Sequence, residues 1–252
     1  MSLNSDIRIV ILGKTGTGKS ETGNSILGKP EEFKTSPGGK FRTKTCQRKE
    51  TKRFERTILI TDTPGLQDSN NQNLAIRTEI QKSIGKANQW PNAFLLCIKM
   101  GRFTAEDETL LNECLNCFGK DMFEFTIVVF THLDIWEANM ENAGSNPDKD
   151  EYMESLPRFA LEFVKKSRNK MFLNNRKTGE DMDFQVQSLV KMIVSMNIEN
   201  SGEFYTDKML QNVLRRAQLQ RFMNYFSRGN ILNFVLAAGN VLLTCKYMYG
   251  RK

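Results

Sequence analysis

The sequence predicts a three-layer α/β sandwich, with a mostly parallel central sheet, helices on both faces and a helical extension at the C-terminal end. Two observations carry this prediction. Runs such as Ala93-Phe94-Leu95-Leu96-Cys97-Ile98 and Phe125-Thr126-Ile127-Val128-Val129-Phe130 are largely apolar rather than alternating, as strands covered on both faces must be. Along the chain they also take turns with helix-like segments, the order from which parallel sheets are built.

The first strand is expected over 7–12, in Ile7-Arg8-Ile9-Val10-Ile11-Leu12, and a helix over 19–27. Between them runs Gly13-Lys14-Thr15-Gly16-Thr17-Gly18-Lys19-Ser20, which fits G-x-x-x-x-G-K-[ST] in the strand-to-helix setting that motif needs. Glycines let the backbone fold around a phosphate chain, and the amides opening the helix, at Ser20 and Glu21, point their positive ends at it. Lys19 would reach the β- and γ-phosphates, and the Ser20 hydroxyl would hold Mg²⁺. Residues 29–43 are polar, rich in Gly and Pro and poorly patterned, the kind of segment that a γ-phosphate can order and release.

Two strands are expected near 44–50 and 56–61. The second ends in Asp62-Thr63-Pro64-Gly65, where an aspartate can hold Mg²⁺ through water and the Gly65 amide can sense the γ-phosphate. A loop and helix (66–89), a strand (93–98), a helix (105–118) and a strand (125–130) follow. Beyond them the pattern gives an acidic, loop-like region over 137–151, a helix near 153–168 and a last short strand, Lys170-Met171-Phe172-Leu173. The polar motifs fall at the carboxyl ends of strands, where open α/β sheets bind ligands.

Thr131-His132-Leu133-Asp134 ends the 125–130 strand, where GTPases usually carry N-K-x-D. A carboxylate at Asp134 can accept from both N1–H and the exocyclic amine of guanine. Adenine offers neither donor there, and leaving the carboxylate unpaired would cost on the order of a few kcal/mol. His132 reads either as a ring stacked on the purine or as a half-exposed loop imidazole. Asn174 or Asn175, after the last strand, offers an amide to the base.

At 252 residues, with 39% hydrophobic and 26% charged residues, the chain suits one large soluble domain with a modest extension. The net charge of +7 permits contact with anionic surfaces, but no aromatic-and-basic RNA-binding signature is present, so nucleic acid is not an expected partner. The cysteines are Cys46, Cys97, Cys114, Cys117 and Cys245; an odd number, in a long chain without a signal-peptide pattern, points to a reduced, cytoplasmic setting. Cys114 and Cys117 lie inside an expected helix with no second Cys/His pair, so they read as packing residues rather than zinc ligands.

Taken together these residues resemble the immunity-associated GTPase family (GIMAP, also called IAN), relatives of the septins and of the chloroplast-import Toc GTPases. The resemblance rests on Gly13–Ser20 continuing into Glu21-Thr22-Gly23-Asn24-Ser25-Ile26-Leu27-Gly28, on Thr43-Lys44-Thr45-Cys46, on Asp62–Gly65 and on Phe172-Leu173-Asn174-Asn175. Ala93-Phe94-Leu95-Leu96 running to Gly101-Arg102-Phe103-Thr104-Ala105-Glu106-Asp107 is similar to the family's extra box between the Asp-Thr-Pro-Gly turn and the base motif. The departure is Thr131–Asp134, where many members carry T-R-K-E-D or T-H-G-D forms.

The resemblance implies a P-loop GTPase-type fold, GTP or GDP with Mg²⁺ as ligands, and GTP-dependent homodimers or oligomers. It implies Thr43 as the switch threonine that reaches Mg²⁺ and the γ-phosphate, with Thr45 the competitor. It also offers Arg102 as an arginine supplied across a homodimer, the competing role being a structural ion pair. Ras-type GTPases orient water with a glutamine directly after the glycine of the D-x-x-G turn. Leu66 holds that position here and Gln67 comes one residue later, so slow hydrolysis is expected; the alternative is a GTP-loaded scaffold on an intracellular membrane that does not hydrolyse.

The expected divisions are a nucleotide-binding domain over 1–200, an amphipathic helix over 201–228 and an apolar tail over 229–252. From Ile231 to Cys245 the tail carries no charge, with Arg228 before it and Lys246 after it. It falls short of the roughly 20 residues a full span wants. It reads as an anchor in an intracellular membrane, as a helix packing in a dimer or on the domain, or as disorder.

Overall fold

The computed structural model describes residues 6–35, 43, 45–66 and 90–227. Its sheet contains β1 (Ile7–Leu12), β2 (Gln47–Arg53), β3 (Arg56–Asp62), β4 (Ala93–Lys99), β5 (Thr126–Thr131) and β6 (Asn169–Phe172), in the order β2-β3-β1-β4-β5-β6. All neighbouring pairs are parallel except β2 with β3, a hairpin in which Arg53 faces Arg56 across the turn Phe54-Glu55. The register sets Ile11 beside Asp62 and Lys99 beside Thr131, so several strands finish at one end of the sheet. The edges differ from the interior: β2 reads Gln-Arg-Lys-Glu-Thr-Lys-Arg, and β6 has only four residues.

Ile9, Ile11, Ile60, Leu95, Ile127 and Val129 are buried in one cluster with Val186, Leu189, Val190 and Ile193 of α6, the helix Gly179–Glu199. The opposite direction of the pleat sends Phe94 against Phe118 (ring centroids 4.8 Å apart) and against Tyr205 (5.1 Å). Phe118 belongs to α2 (Ala105–Phe118), whose Cys114 and Cys117 are fully buried, form no disulfide among the described residues and fill space in this layer. The Tyr205 phenol donates to the Phe118 carbonyl at 2.7 Å, which lets a large amphipathic ring be buried without an orphaned hydroxyl.

α1 (Lys19–Leu27) follows β1, and a 3₁₀ turn (Lys120–Phe125) leads into β5. The region expected as a loop over 137–151 is partly helical: α3 spans Leu133–Asn142 and α4 spans Lys149–Glu154. Only Leu133 and Trp136 of α3 are buried, so its sequence carries too few apolar positions to display a period. Asp148 caps α4 by accepting from Asp150 N–H at 2.8 Å. The single helix expected near 153–168 is likewise two, because Pro157 cannot continue α4 and instead opens α5 (Arg158–Lys166).

The chain divides into two compact units, one ending at Met209 and one beginning at Leu210, and the division falls within α7 (Asp207–Ser227). Of the loop and helix expected over 66–89, all but Leu66 lies outside the described residues, Gln67 included, as do most of the 36–44 stretch and the tail 229–252. No described helix is long and apolar enough to cross a membrane.

Candidate functional site

The turn out of β1 is built on close backbone approach. Gly13 has φ 152°, and a Cβ there would sit 2.6 Å from Thr17 Oγ1 and 2.7 Å from the Cys97 carbonyl, so only glycine fits. The turn then closes on one atom: the Lys14 carbonyl accepts from Thr17 Oγ1 at 2.9 Å and from Lys19 Nζ at 2.9 Å. Lys19 is buried, and that burial lowers its pKa against the opposing pull of Asp62. The Lys14 side chain leaves in another direction, to Asp107 at 2.7 Å and Glu106 at 3.3 Å on the first turn of α2.

Three oxygen-bearing side chains meet beside Lys19. Ser20 Oγ donates to Asp62 Oδ2 at 2.7 Å, Thr43 Oγ1 donates to the same oxygen at 3.2 Å, and the two hydroxyls stand 3.5 Å apart. Thr45, the competitor of Thr43, is exposed. Burial raises the Asp62 pKa, opposed by Ser20, Lys19 and Thr43. Its Oδ1 is buried with no close hydrogen-bond partner among the described residues, and the adjacent Thr63 amide gives the carboxylate the smallest of its stabilising contributions. A hard, oxygen-only corner with an unsatisfied carboxylate oxygen fits Mg²⁺. The turn that carries Asp62 is fixed by Thr63 Oγ1 donating to the Ile11 carbonyl at 2.7 Å and by Leu66 N–H donating to Gly13 O at 3.2 Å.

At the end of β5, buried Thr131 points at the chain rather than at open space. Its hydroxyl donates to the Thr17 carbonyl at 2.9 Å, tying β5 to the turn after β1. His132 takes a left-handed conformation (φ 59°) that caps α3 and leaves Asp134 in the first helical turn. Burial lowers the His132 pKa, Lys99 and Arg176 lower it further, and Asp134 opposes them. The imidazole is therefore neutral near pH 7 and suited to lying flat against an aromatic ring.

A cleft of about 480 Å³ joins these parts. Of the residues expected from sequence, Thr15, Gly16, Gly18, Lys19, Ser20, Glu21, Thr43, Gly65, His132, Asp134 and Asn175 line it. Gly13, Lys14, Thr17, Asp62 and Thr131 are not among the lining residues, though Asp62 bonds the lining Ser20 and Thr43, and Thr131 bonds Thr17 in the loop. The asparagine pair separates. Asn175 is tied to α1, donating to Thr22 Oγ1 at 3.1 Å and accepting from Ser25 Oγ at 3.0 Å, whereas Asn174 accepts from Arg176 N–H and is gripped at its backbone by Gln185. Arg102 is exposed on the turn after β4 and makes no ion pair among the described residues.

Lys34, Thr35, Lys99, Ile135 and Arg176 also line the cleft and were not anticipated. Lys99 had a readable signal, since it closes an apolar strand at the end where such sheets bind ligands. Lys34 and Thr35 lie in an unpatterned stretch with no such signal. Another unanticipated residue, Asn24, clamps Phe33 from both sides: its Nδ2 donates to Phe33 O and its Oδ1 accepts from Phe33 N–H, both at 2.8 Å. The clamp sets the course of the chain into Lys34 and Thr35 at the rim.

A family profile described as the AIG1 family matches residues 7–224. Immune-associated nucleotide-binding protein 9 of Arabidopsis thaliana is 32% identical over 220 residues, covering 86% of this chain and 62% of its own length. GTPase IMAP family member 8 of Homo sapiens is 29% identical over 200 residues, covering 79% of this chain and 28% of its own length. The chain thus spans less than two thirds of the curated relatives it matches. Among solved structures, Toc33 from Arabidopsis thaliana in complex with Mg²⁺ and GMPPNP superposes with a TM-score of 0.56 at 21% identity, over 78% of this chain and 86% of that one. A dimerization-deficient Toc33 mutant gives 0.58 at 22% identity, over 76% and 84%. At such identities the likeness is one of fold, and the fold is the P-loop GTPase-type sandwich.

Proposed function

The chain belongs to the AIG1 family, and from that premise we propose that it binds GTP and GDP with Mg²⁺, self-associates in a nucleotide-dependent way and hydrolyses GTP slowly. The observation that carries the reading is the meeting of Ser20, Thr43 and Asp62 around one buried carboxylate beside Lys19. Ser20 and Thr43 would hold Mg²⁺ through their hydroxyls, and Asp62 would hold it through water. Bound there, the ion supplies positive charge against the β- and γ-phosphate oxygens. Lys19 and the amides of the loop from Gly13 to Ser20 would hold the phosphates themselves. At the far end of the cleft Asp134 would accept from guanine, His132 would lie along the ring, and Asn175 would border the base.

Slow turnover follows from Leu66. It is 3% exposed and its backbone is held to Gly13, so it neither reaches water nor polarises it. A dimer is the natural remedy: exposed Arg102 is free to enter a partner's cleft, where an arginine given in trans is worth about three to five orders of magnitude in rate. Toc33, the structural neighbour, has been described in complex with GDP and Mg²⁺ and as a dimerization-deficient mutant, which supports both halves of the reading.

Binding of fluorescent GDP and GTP with Mg²⁺ tests the first half. Lys19→Ala should lose at least about a hundredfold in affinity, the order of a buried charge-assisted contact set, and a preference for ATP over GTP would remove the guanine assignment. Turnover measured over a wide protein concentration range tests the second. Specific activity that climbs with concentration and collapses in Arg102→Ala marks a dimer-activated GTPase; flat, near-zero turnover with tight GTP binding marks a GTP-loaded scaffold. We place the protein in the cytoplasm, with 229–252 as the segment that would attach it to an intracellular membrane.

A further inference from the structure

Lys14 belongs to two structures at once. Its carbonyl receives Lys19 Nζ and Thr17 Oγ1, and so fixes the lysine that would meet the phosphates. Its ammonium is held on α2, 2.7 Å from Asp107 Oδ1 and within 3.3 Å of Thr104 Oγ1. Asp107 is 5% exposed, and its other oxygen is committed too, accepting from Thr104 N–H at 2.9 Å and from the Thr104 hydroxyl at 2.8 Å. One carboxylate therefore fixes the phosphate-side loop through one oxygen and, through the other, the residue that ends the Gly101-Arg102-Phe103 turn. The opposite end of that turn is anchored as well: Met100 N–H donates to the Thr131 carbonyl at 3.0 Å, and the Thr131 hydroxyl grips Thr17. The turn that presents Arg102 is thus bonded by two separate routes to the loop that would cradle phosphate.

We propose that Asp107, acting through Lys14, is a positioning residue that couples the loop Gly13–Ser20 to the Arg102 turn, so that nucleotide binding and self-association through that turn are linked. The inference rests on the guanine-nucleotide reading above. Linkage is reciprocal: whatever factor the nucleotide applies to self-association, self-association applies to nucleotide affinity. A pair that only stapled α2 to the sheet would lower thermal stability without touching this factor.

The test is a double-mutant cycle on the full chain with Asp107→Asn, which keeps an acceptor for Thr104 and removes the charge, and Lys14→Met, which keeps the stem. Affinity for fluorescent GDP and for a non-hydrolysable GTP analogue is measured with Mg²⁺, and sedimentation velocity gives the shift in self-association that the analogue causes. Each single variant should weaken nucleotide binding about tenfold, within the range of site-to-site coupling. The double variant should be no weaker than either single, and the analogue-induced shift should vanish in all three. Unchanged affinities, effects that multiply in the double variant, or a shift that survives in Asp107→Asn would each overturn the inference. If Asp107→Asn does not fold, Lys14→Met against Asp107→Glu decides it: the glutamate, retaining the charge, should keep most of the affinity and the shift, and equal losses in both would overturn the coupling. Absence of GDP binding by the unaltered protein would instead overturn the nucleotide reading, and the coupling with it.

Discussion

His132 is the one imidazole in the chain, so its titration can be followed without assignment work. Burial and the neighbouring Lys99 and Arg176 depress its pKa below 6.5 in the folded protein. The unfolded chain then binds that proton more readily than the folded one. Stability should rise with pH up to about 6.5 and fall away as pH drops through the depressed value. Denaturant unfolding at pH 7.5 and 5.5 should show this, with a shallower slope in His132→Gln; a ring resonance titrating above 6.5 would contradict it. Which residues were legible follows from how narrowly chemistry restricts them. Lys19, Ser20 and Asp134 could be expected at one cleft, with Asp62 beside them, because phosphate, metal and guanine would each demand one residue type at one place. Asn175 could not be told from Asn174, since the outcome turns on which of two adjacent side chains points back to α1 and which bonds Arg176. Lys14 occupies a motif position open to any residue, so nothing in its letter announced the contact with Asp107, 93 positions away along the numbering.

At the scale of elements, the signature Thr22-Gly23-Asn24-Ser25 acquires a physical meaning that the sequence alone withholds. A Cβ on Gly23 would stand 2.8 Å from the Phe33 ring, which is fully buried, and Asn24 holds the Phe33 backbone by two bonds. Together they seat the segment that runs from α1 to the rim back against α1. Gly23→Ala should destabilise the protein by about 1–3 kcal/mol through overpacking; a melting temperature within a degree of wild type would show that the ring moves aside freely. The β2–β3 hairpin carries the opposite opportunity. Phe54 and Glu55 both take left-handed conformations (φ 53° and 59°), the pattern of a tight hairpin turn that favours glycine in its second place. Exposed Glu55→Gly should raise stability by up to about 1 kcal/mol, read as a higher denaturation midpoint at constant slope. The buried strands were legible because their apolar runs are unbroken. α3 was not, being mostly polar on its surface, and the α4–α5 break needed Pro157 to be weighed against the periodic pattern around it.

For the molecule as a whole, the sandwich could be read from the alternation of strands and helices, whereas the end of the first unit could not. Tyr205 sits fully buried against Phe94 and Phe118, so the segment after α6 contributes to the core although its sequence looks like the start of an extension. Removing residues 229–252 should leave nucleotide affinity unchanged, since every cleft residue precedes Arg176 or is Arg176 itself. The same deletion should move the protein from the membrane to the soluble fraction on cell lysis; identical fractionation with and without the tail would rule the tail out as an anchor. The two margins of the sheet limit how copies can meet. One margin reads Gln-Arg-Lys-Glu-Thr-Lys-Arg, with four basic residues against one acidic, and the other is a strand of four residues. Two such rows brought together would repel, and a four-residue strip offers too few backbone partners to hold a neighbour. Among the described residues, side-by-side pairing of sheet edges is therefore disfavoured, and the loops above the strand ends are the surface through which the proposed self-association would run.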